Sequence, residues 1–168
     1  MTIKQTTWTV SSTNPKQHGT KENIFSFTCN SNYQIKEKDL IDLFITVGQG
    51  ITYWGEAYIN FRPNKAYEKG FLKIEREGGI YINTNKFNLD SLIYCVDRCD
   101  DTEIEIHDTK TVKDFINTIK SIIENPNTKG ELKTNLIEAL ATQDFSLLDA
   151  GDADYIFQKC IFGECVYG

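Results

Sequence analysis

The cysteine side chains are the groups of this sequence with the widest chemical range. Cys95, Cys99, Cys160 and Cys165 carry four thiols that could bind zinc as thiolates. Structural zinc sites usually contain a C-x-x-C knuckle, and neither pair has that spacing. Cys160 also lies on the apolar face of a predicted helix, where a reduced cysteine packs as a small apolar residue. We therefore expect no metal site.

A thiol can also act as a nucleophile when a histidine lies within hydrogen-bond reach of it. Of the two histidines, His18 falls in a polar loop and His107 ends a predicted strand. Cys99 with His107 is the most suitable pair, although an exposed histidine without a special role is the simpler interpretation. The 24 acidic residues give no means of selecting a catalytic pair of carboxylates. We expect no catalytic residue and no cofactor.

Glycines and clustered aspartates suggest two further kinds of ligand. Gly48, Gly50 and Gly55 follow a predicted helix, whereas a phosphate loop precedes a helix, so we predict a helix end and a tight turn here. Asp149, Asp152 and Asp154 lack the glycine and the bidentate glutamate of a calcium-binding EF-hand loop. Negative charge near the start of a helix explains them without a metal.

Aromatic residues crowd one region of the sequence and are the best evidence for a binding surface. Tyrosine and tryptophan are favoured in protein interfaces because they combine a large area with a polar group. Most of these rings should lie in the core, but one exposed face would form an interface. The candidate interface residues are Tyr53, Trp54, Glu56, Tyr58, Gln158, Glu164 and Tyr167.

Charge and composition limit the classes of partner. A net charge of -6 argues against binding of nucleic acid or anionic membranes by charge alone, and it favours a basic protein partner. No apolar run approaches the roughly 20 residues of a membrane span, and the first residues lack the apolar region of a secretory signal. We therefore expect a cytoplasmic protein whose five cysteines are reduced thiols.

Five helices are predicted from apolar residues that recur every three or four positions. The clearest covers residues 150–162, where Asp149 can cap the start and Gly163 can end the helix in a left-handed conformation. Its apolar stripe should pack on a sheet built from the middle of the chain. The other helices are predicted at 37–47, at 89–98 with Asn88 as cap, from Thr109 or Thr111 to 124, and at 132–142.

Alternating apolar residues predict strands between and before these helices. Strands are expected at 6–12, 24–29, 51–61 and 103–107, and a hairpin at 71–82 turns at Gly78-Gly79. Strands that precede a run of helices predict an α+β fold with a mostly antiparallel sheet packed by about five helices. We expect a single domain with an N-terminal β segment at 1–36, a mixed core at 37–124 and C-terminal helices at 127–168.

Two segments, 39–57 and 149–168, together resemble a family of small uncharacterised proteins of phages, prophages and plasmids. That family has a Gly-Gly-x-x-Tyr-Trp turn and a C-terminal Asp-Ala-Asp…Gln…Phe-Gly-Glu-x-Val-Tyr-Gly motif, and here Gly48 and Gly50 replace its adjacent glycine pair. The matching residues are Tyr53, Trp54, Asp152, Ala153, Asp154, Gln158, Phe162, Gly163, Glu164, Val166, Tyr167 and Gly168. The resemblance implies a mobile-element context, and that the helix packs near Tyr53 and Trp54.

Three functional hypotheses follow from these observations. The first is a non-enzymatic phage accessory protein that binds and inhibits a host protein, such as a defence system or a CRISPR effector nuclease. The second is a protein that binds or sequesters a nucleotide-derived signal, because aromatic residues can stack on a base. The third is an enzyme or zinc protein that uses cysteine and histidine residues. The absence of a catalytic motif favours the first.

Overall fold

A computed structural model describes residues 24–28, 32–59, 81–82, 88–97, 106–128 and 130–168. Its strands are β1 (Ile24–Thr28), β2 (Asn32–Lys36), β3 (Gly55–Ile59), β4 (Tyr81–Ile82), β5 (Leu92–Asp97) and β6 (Ile106–Thr111). Its helices are α1 (Glu37–Gly50), α2 (Val112–Glu124), α3 (Gly130–Thr142) and α4 (Ala150–Phe162). Single 3-10 turns at Ile51–Tyr53 and Phe145–Leu147 follow α1 and precede α4.

The strands form two small sheets, so the predicted α+β class is confirmed. β1 and β2 pair as an antiparallel hairpin, and the larger sheet has the order β4-β3-β5-β6. The β3–β5 and β5–β6 pairs are antiparallel, whereas the short β4 runs parallel to β3. Within the described ranges there are four α-helices rather than the five predicted. The division of the chain at 36 and 127 stays a prediction.

The largest error of the sequence analysis is the predicted helix at 89–98, which is strand β5. Asn88 and Ser91 do begin the element, but as a turn in which Asn88 Oδ1 accepts from the Asp90 amide at 2.9 Å. Ile93 and Cys95 face the main core, while Tyr94 on the opposite face is also buried. A strand that is apolar on both faces imitates the spacing of a buried helix.

The helix ends were predicted well where polar caps mark them. Thr111 begins α2 with a capping box, in which Thr111 Oγ1 accepts from the Asp114 amide and the Asp114 carboxylate accepts from the Thr111 amide. Asp149 caps α4 through the Asp152 amide at 2.7 Å, and Gly163 follows with φ +80°.

The predicted packing of α4 on the middle sheet is only partly right. Its buried side chains pack mainly on α1 and α2, and among the strands it meets β6. The helices together cover one face of the larger sheet, where Ala57, Ile59, Ile93 and Cys95 join the core. Ile156 and Phe157 of α4 are fully buried within that core. No described helix is both long and apolar enough to cross a membrane.

The remaining strand predictions differ from the structure in part or fall on residues outside its described ranges. Residues 51–53, predicted as the start of a strand, form a 3-10 turn, and the polar segment after β1 contributes strand β2. The predicted strand at 103–107 corresponds to β6, which begins at Ile106. The predicted strand at 6–12 and the Gly78-Gly79 turn lie outside the described residues. Of the predicted hairpin at 71–82, the structure describes only β4, in the second arm.

Candidate functional site

A buried carboxylate, Asp154 on α4, joins two distant parts of the chain. Asp154 is 7% exposed and accepts three hydrogen bonds. Trp54 Nε1 donates to Oδ1 at 2.8 Å, and Tyr53 Oη and Gln158 Nε2 donate to Oδ2, each at 2.9 Å. Hydrogen bonds to a charged acceptor are stronger than neutral ones, so this group is held firmly. We call these four residues the Asp154 hub.

Gln158 extends the hub to residues 164–168, which we call the strap. Gln158 is fully buried, and its Oε1 accepts from the amides of Val166 at 2.8 Å and Tyr167 at 2.7 Å. Its Nε2 donates to the Tyr167 carbonyl at 3.0 Å as well as to Asp154. A glutamine side chain offers two acceptor and two donor positions, so all four are used. The strap is therefore held by its backbone.

Aromatic rings close the hub on its other side. The ring of Tyr167 stacks on that of Trp54, with centroids 4.7 Å apart and planes inclined by 6°. Phe162 lies against both rings, 5.6 Å from Trp54 and 5.9 Å from Tyr167. Such contacts add stability beyond the area they bury. The face of Trp54 is thus covered by the strap, and Trp54 is only 3% exposed.

Two glycines bring these elements together. A Cβ at Gly50 would collide with the carbonyl oxygen of Ala150 and lie 3.1 Å from the Cβ of Asp154, so α1 can approach α4 only with glycine there. This approach puts the turn after α1 against Asp154. Gly163, in the left-handed conformation, ends α4 and turns the strap back toward Gln158.

Tyr53 is the aromatic residue of the hub that faces solvent. Its side chain is 55% exposed even though its hydroxyl is bonded to Asp154. Burial of the hydroxyl and the hydrogen bond to Asp154 both raise the pKa of Tyr53, so the phenol stays a neutral donor. In the strap, Val166 is 54% exposed and Glu164 is exposed as well. We call Tyr53, Glu164 and Val166 the Tyr53 surface.

The candidate interface residues fall into three groups. Tyr53 and Glu164 are exposed, Glu56 and Tyr167 are half-buried, and Trp54, Tyr58 and Gln158 are buried. The hub brings four of these seven residues together: Tyr53, Trp54, Gln158 and Tyr167. In β3 the hydroxyl of Tyr58 donates to Glu56 at 2.6 Å, so these two form a pair of their own. The buried residues therefore position the surface rather than present a side chain to a partner.

Asp154 is the residue of the hub that the sequence analysis did not select as a candidate. It was explained as negative charge at the start of α4, a role that Asp149 and Asp152 fill. Its spacing of four residues from Gln158 was the local signal, because residues at i and i+4 are neighbours on a helix. The contact with Trp54, 100 residues away, has no local signal. The implied meeting of α4 with Tyr53 and Trp54 is confirmed.

The cysteines do not gather in the part of the chain that the structure describes. Cys95 lies on β5 and Cys160 on α4, where both are buried, and Cys165 is exposed in the strap. None of the three is in a disulfide, and the described residues contain no group of three or more His, Cys, Asp or Glu that could bind a metal. Cys99 and the side chain of His107 lie outside what is described.

Searches of known protein families, of curated proteins and of solved structures gave no significant match to this chain. They therefore provide no positive indication of an enzymatic reaction.

Proposed function

We propose that this protein acts by binding another protein through the Tyr53 surface, without catalysing a reaction. The observation that supports this best is a large aromatic side chain that is 55% exposed while its hydroxyl is fixed by a buried carboxylate. A ring held in this way loses little side-chain entropy when a partner covers it. Rigid tyrosines with such exposure are typical of the residues that dominate binding energy.

The surroundings of Tyr53 favour a partner with a basic surface. Glu164 is exposed in the strap, which is bound to the same hub as Tyr53, and the whole chain carries a net charge of -6. Opposite charges accelerate association and suppress incorrect partners. Nucleases and other proteins that bind nucleic acid have basic surfaces of this kind. An acidic protein with an aromatic anchor is suited to cover such a surface.

The resemblance to mobile-element proteins supplies the biological part of the proposal. The matching residues Tyr53, Trp54, Gln158 and Tyr167 lie in or against the hub, as does Asp154. We infer that the shared motif encodes a binding surface and its support. The proposed role is that of a cytoplasmic phage or plasmid accessory protein that inhibits a host protein, such as a defence nuclease or CRISPR effector.

The test combines a binding assay with a biological one. The tagged protein is used to purify its partner from host lysate, and the affinity of the purified pair is then measured for Tyr53→Ala. We expect affinity to fall roughly 30-fold or more, because central aromatic anchors contribute about 2 kcal/mol or more. Ile45→Ala is the matched control, since Ile45 is 48% exposed and lies on α1 outside the hub.

The same variants are then expressed in cells that carry a defence system active against phage. The wild-type protein and Ile45→Ala should restore phage growth, whereas Tyr53→Ala should not. If no protein co-purifies and phage growth is unchanged by the wild-type protein, the proposal is wrong. It is also wrong if Tyr53→Ala binds its partner as tightly as Ile45→Ala does.

A further inference from the structure

The strap is bound to the rest of the protein in the way that a receptor binds an extended peptide. Gln158 forms hydrogen bonds with the amide and the carbonyl of Tyr167 and with the amide of Val166. Trp54 stacks on the ring of Tyr167. The side chains of Glu164, Cys165 and Val166 are exposed. Recognition therefore depends on backbone groups and one aromatic ring.

The connection between α4 and the strap does not restrain the strap strongly. Gly163 is exposed, and a Cβ on it would meet nothing within 4 Å, so side-chain packing does not hold the joint; its amide donates to the Lys159 carbonyl at 3.2 Å. Glycine in a left-handed conformation also moves to other conformations at little steric cost. The strap is thus fastened at Tyr167 and Val166, several residues beyond a hinge.

Simple opening of the strap would expose groups that are costly to leave without partners. Three of the four hydrogen-bonding positions of the buried Gln158 would lose their partners, and one face of Trp54 would be uncovered. A second peptide with the same backbone geometry and an aromatic side chain would satisfy all of them. Exchange of one peptide for another is therefore favoured over an empty site.

We propose that Trp54, Gln158 and Phe162 form a peptide-binding groove whose second ligand is an extended segment of a partner protein. One residue of that segment takes the position of Tyr167: it carries an aromatic side chain, and both its amide and its carbonyl bond to Gln158. The residue before it takes the position of Val166 and needs a backbone N–H to donate to Gln158. The partner segment takes the place of the strap. This inference rests on the proposed function, because it names how a protein partner binds beside Tyr53: Glu164 and Val166 leave with the strap, whereas Tyr53 stays bonded to Asp154.

The experiment uses the full-length chain and a synthetic peptide with the sequence of residues 162–168, in reducing buffer. Binding is followed by NMR at the indole N–H of Trp54, which donates to Asp154. In the wild-type protein the strap competes at an effective concentration of the order of millimolar. In Tyr167→Ala the strap lacks its ring, so we expect the peptide to bind at least tenfold more tightly than to the wild type.

Peptide variants test the recognition itself without any effect on folding of the protein. A peptide with alanine at the position of Tyr167, and one with proline at the position of Val166, should each bind at least tenfold more weakly. The first lacks the ring that stacks on Trp54, and the second lacks an amide that donates to Gln158. Ile45→Ala in the protein is the control, because it changes only an exposed side chain of α1, outside the hub and the strap.

Val166→Pro in the protein weakens the strap by one hydrogen bond and serves as the second variant if Tyr167→Ala does not fold. Absence of peptide binding at 1 mM to a folded strap variant would overturn the inference. Equal affinity for wild type and variants, or for all three peptides, would also overturn it, since binding would then occur elsewhere. No partner protein is needed, so this result is separate from that of the pull-down.

Discussion

Replacement of Gln158 by leucine tests the central hydrogen-bond arrangement most directly. Leucine keeps an apolar side chain of similar size in a fully buried position, and it removes four hydrogen bonds. Three of these join neutral groups and contribute about 1 kcal/mol each, and the bond to the Asp154 carboxylate contributes about 1.5–3 kcal/mol.

The expected loss is smaller than this sum because the strap can detach. Its exposed backbone then regains water, and its residues regain conformational entropy of about 1 kcal/mol each. We expect the free energy of unfolding of Gln158→Leu to fall by about 3 kcal/mol. The hydrogen bond from Trp54 to Asp154 remains and limits the loss, whereas the ring of Trp54 loses the stacked ring of Tyr167 and adds to it. For a chain of this length, that lowers Tm by about 6–12 °C.

Thermal unfolding followed by circular dichroism measures the change, with Gln49→Leu as the control. Gln49 is exposed on α1, so its replacement should change the free energy of unfolding by no more than about 0.5 kcal/mol. Gln158→Leu and Tyr167→Ala should also be less than additive in the double variant, because either one releases the strap. A decrease in Tm of less than about 2 °C for Gln158→Leu would refute the reasoning.

Two further predictions concern Tyr53 and the glycines. Phenolate absorbance of the wild type minus that of Tyr53→Phe should titrate with a midpoint above 10, because burial and the Asp154 hydrogen bond raise the pKa of Tyr53. The stabilisation that the neutral Tyr53 phenol gives is complete below pH 10 and is lost as the pH rises through the folded-state pKa. Tyr53→Phe should therefore lose less of its free energy of unfolding at alkaline pH than the wild type does. A midpoint at or below 10 would contradict the geometry. Gly50→Ala should destabilise by about 1–3 kcal/mol through its clash with Ala150, whereas Gly130→Ala, with nothing within 4 Å, should be neutral or stabilising in denaturant unfolding. Equal effects of the two substitutions would show that α1 can shift away from α4.

Local signals made α2 and α4 predictable from the sequence. In α4, Asp149 at the start, Gly163 at the end and the buried residues between them all indicate the same element. The six apolar residues that recur at helical spacing in α2 are all buried. Caps and apolar spacing depend on residues three or four positions apart, so the local sequence alone is sufficient to predict these helices.

The errors occur where a residue type serves a long-range purpose. Gly48 and Gly50 were interpreted as the end of a helix, and α1 does end at Gly50, but the sequence analysis did not predict that Gly50 is needed for contact with α4. The run around Ile93 and Tyr94 was interpreted as a helix because Ile93, Tyr94 and Cys95 are all buried, on both faces of β5. Neither the neighbouring helix nor the covering of the second face can be inferred from local spacing.

The Asp154 hub fixes the orientation of side chains more than it stabilises the fold. A carboxylate held by three neutral donors in the interior is often no more stable than a well-packed apolar group of the same size. Apolar contacts have no preferred direction, whereas hydrogen bonds to two carboxylate oxygens fix the angles of Tyr53 and Trp54. Because Gln158 bonds to the same carboxylate and to the strap, these angles also define where Tyr167 and Val166 lie. One buried charge thus sets the relative positions of the exposed ring of Tyr53 and of the strap.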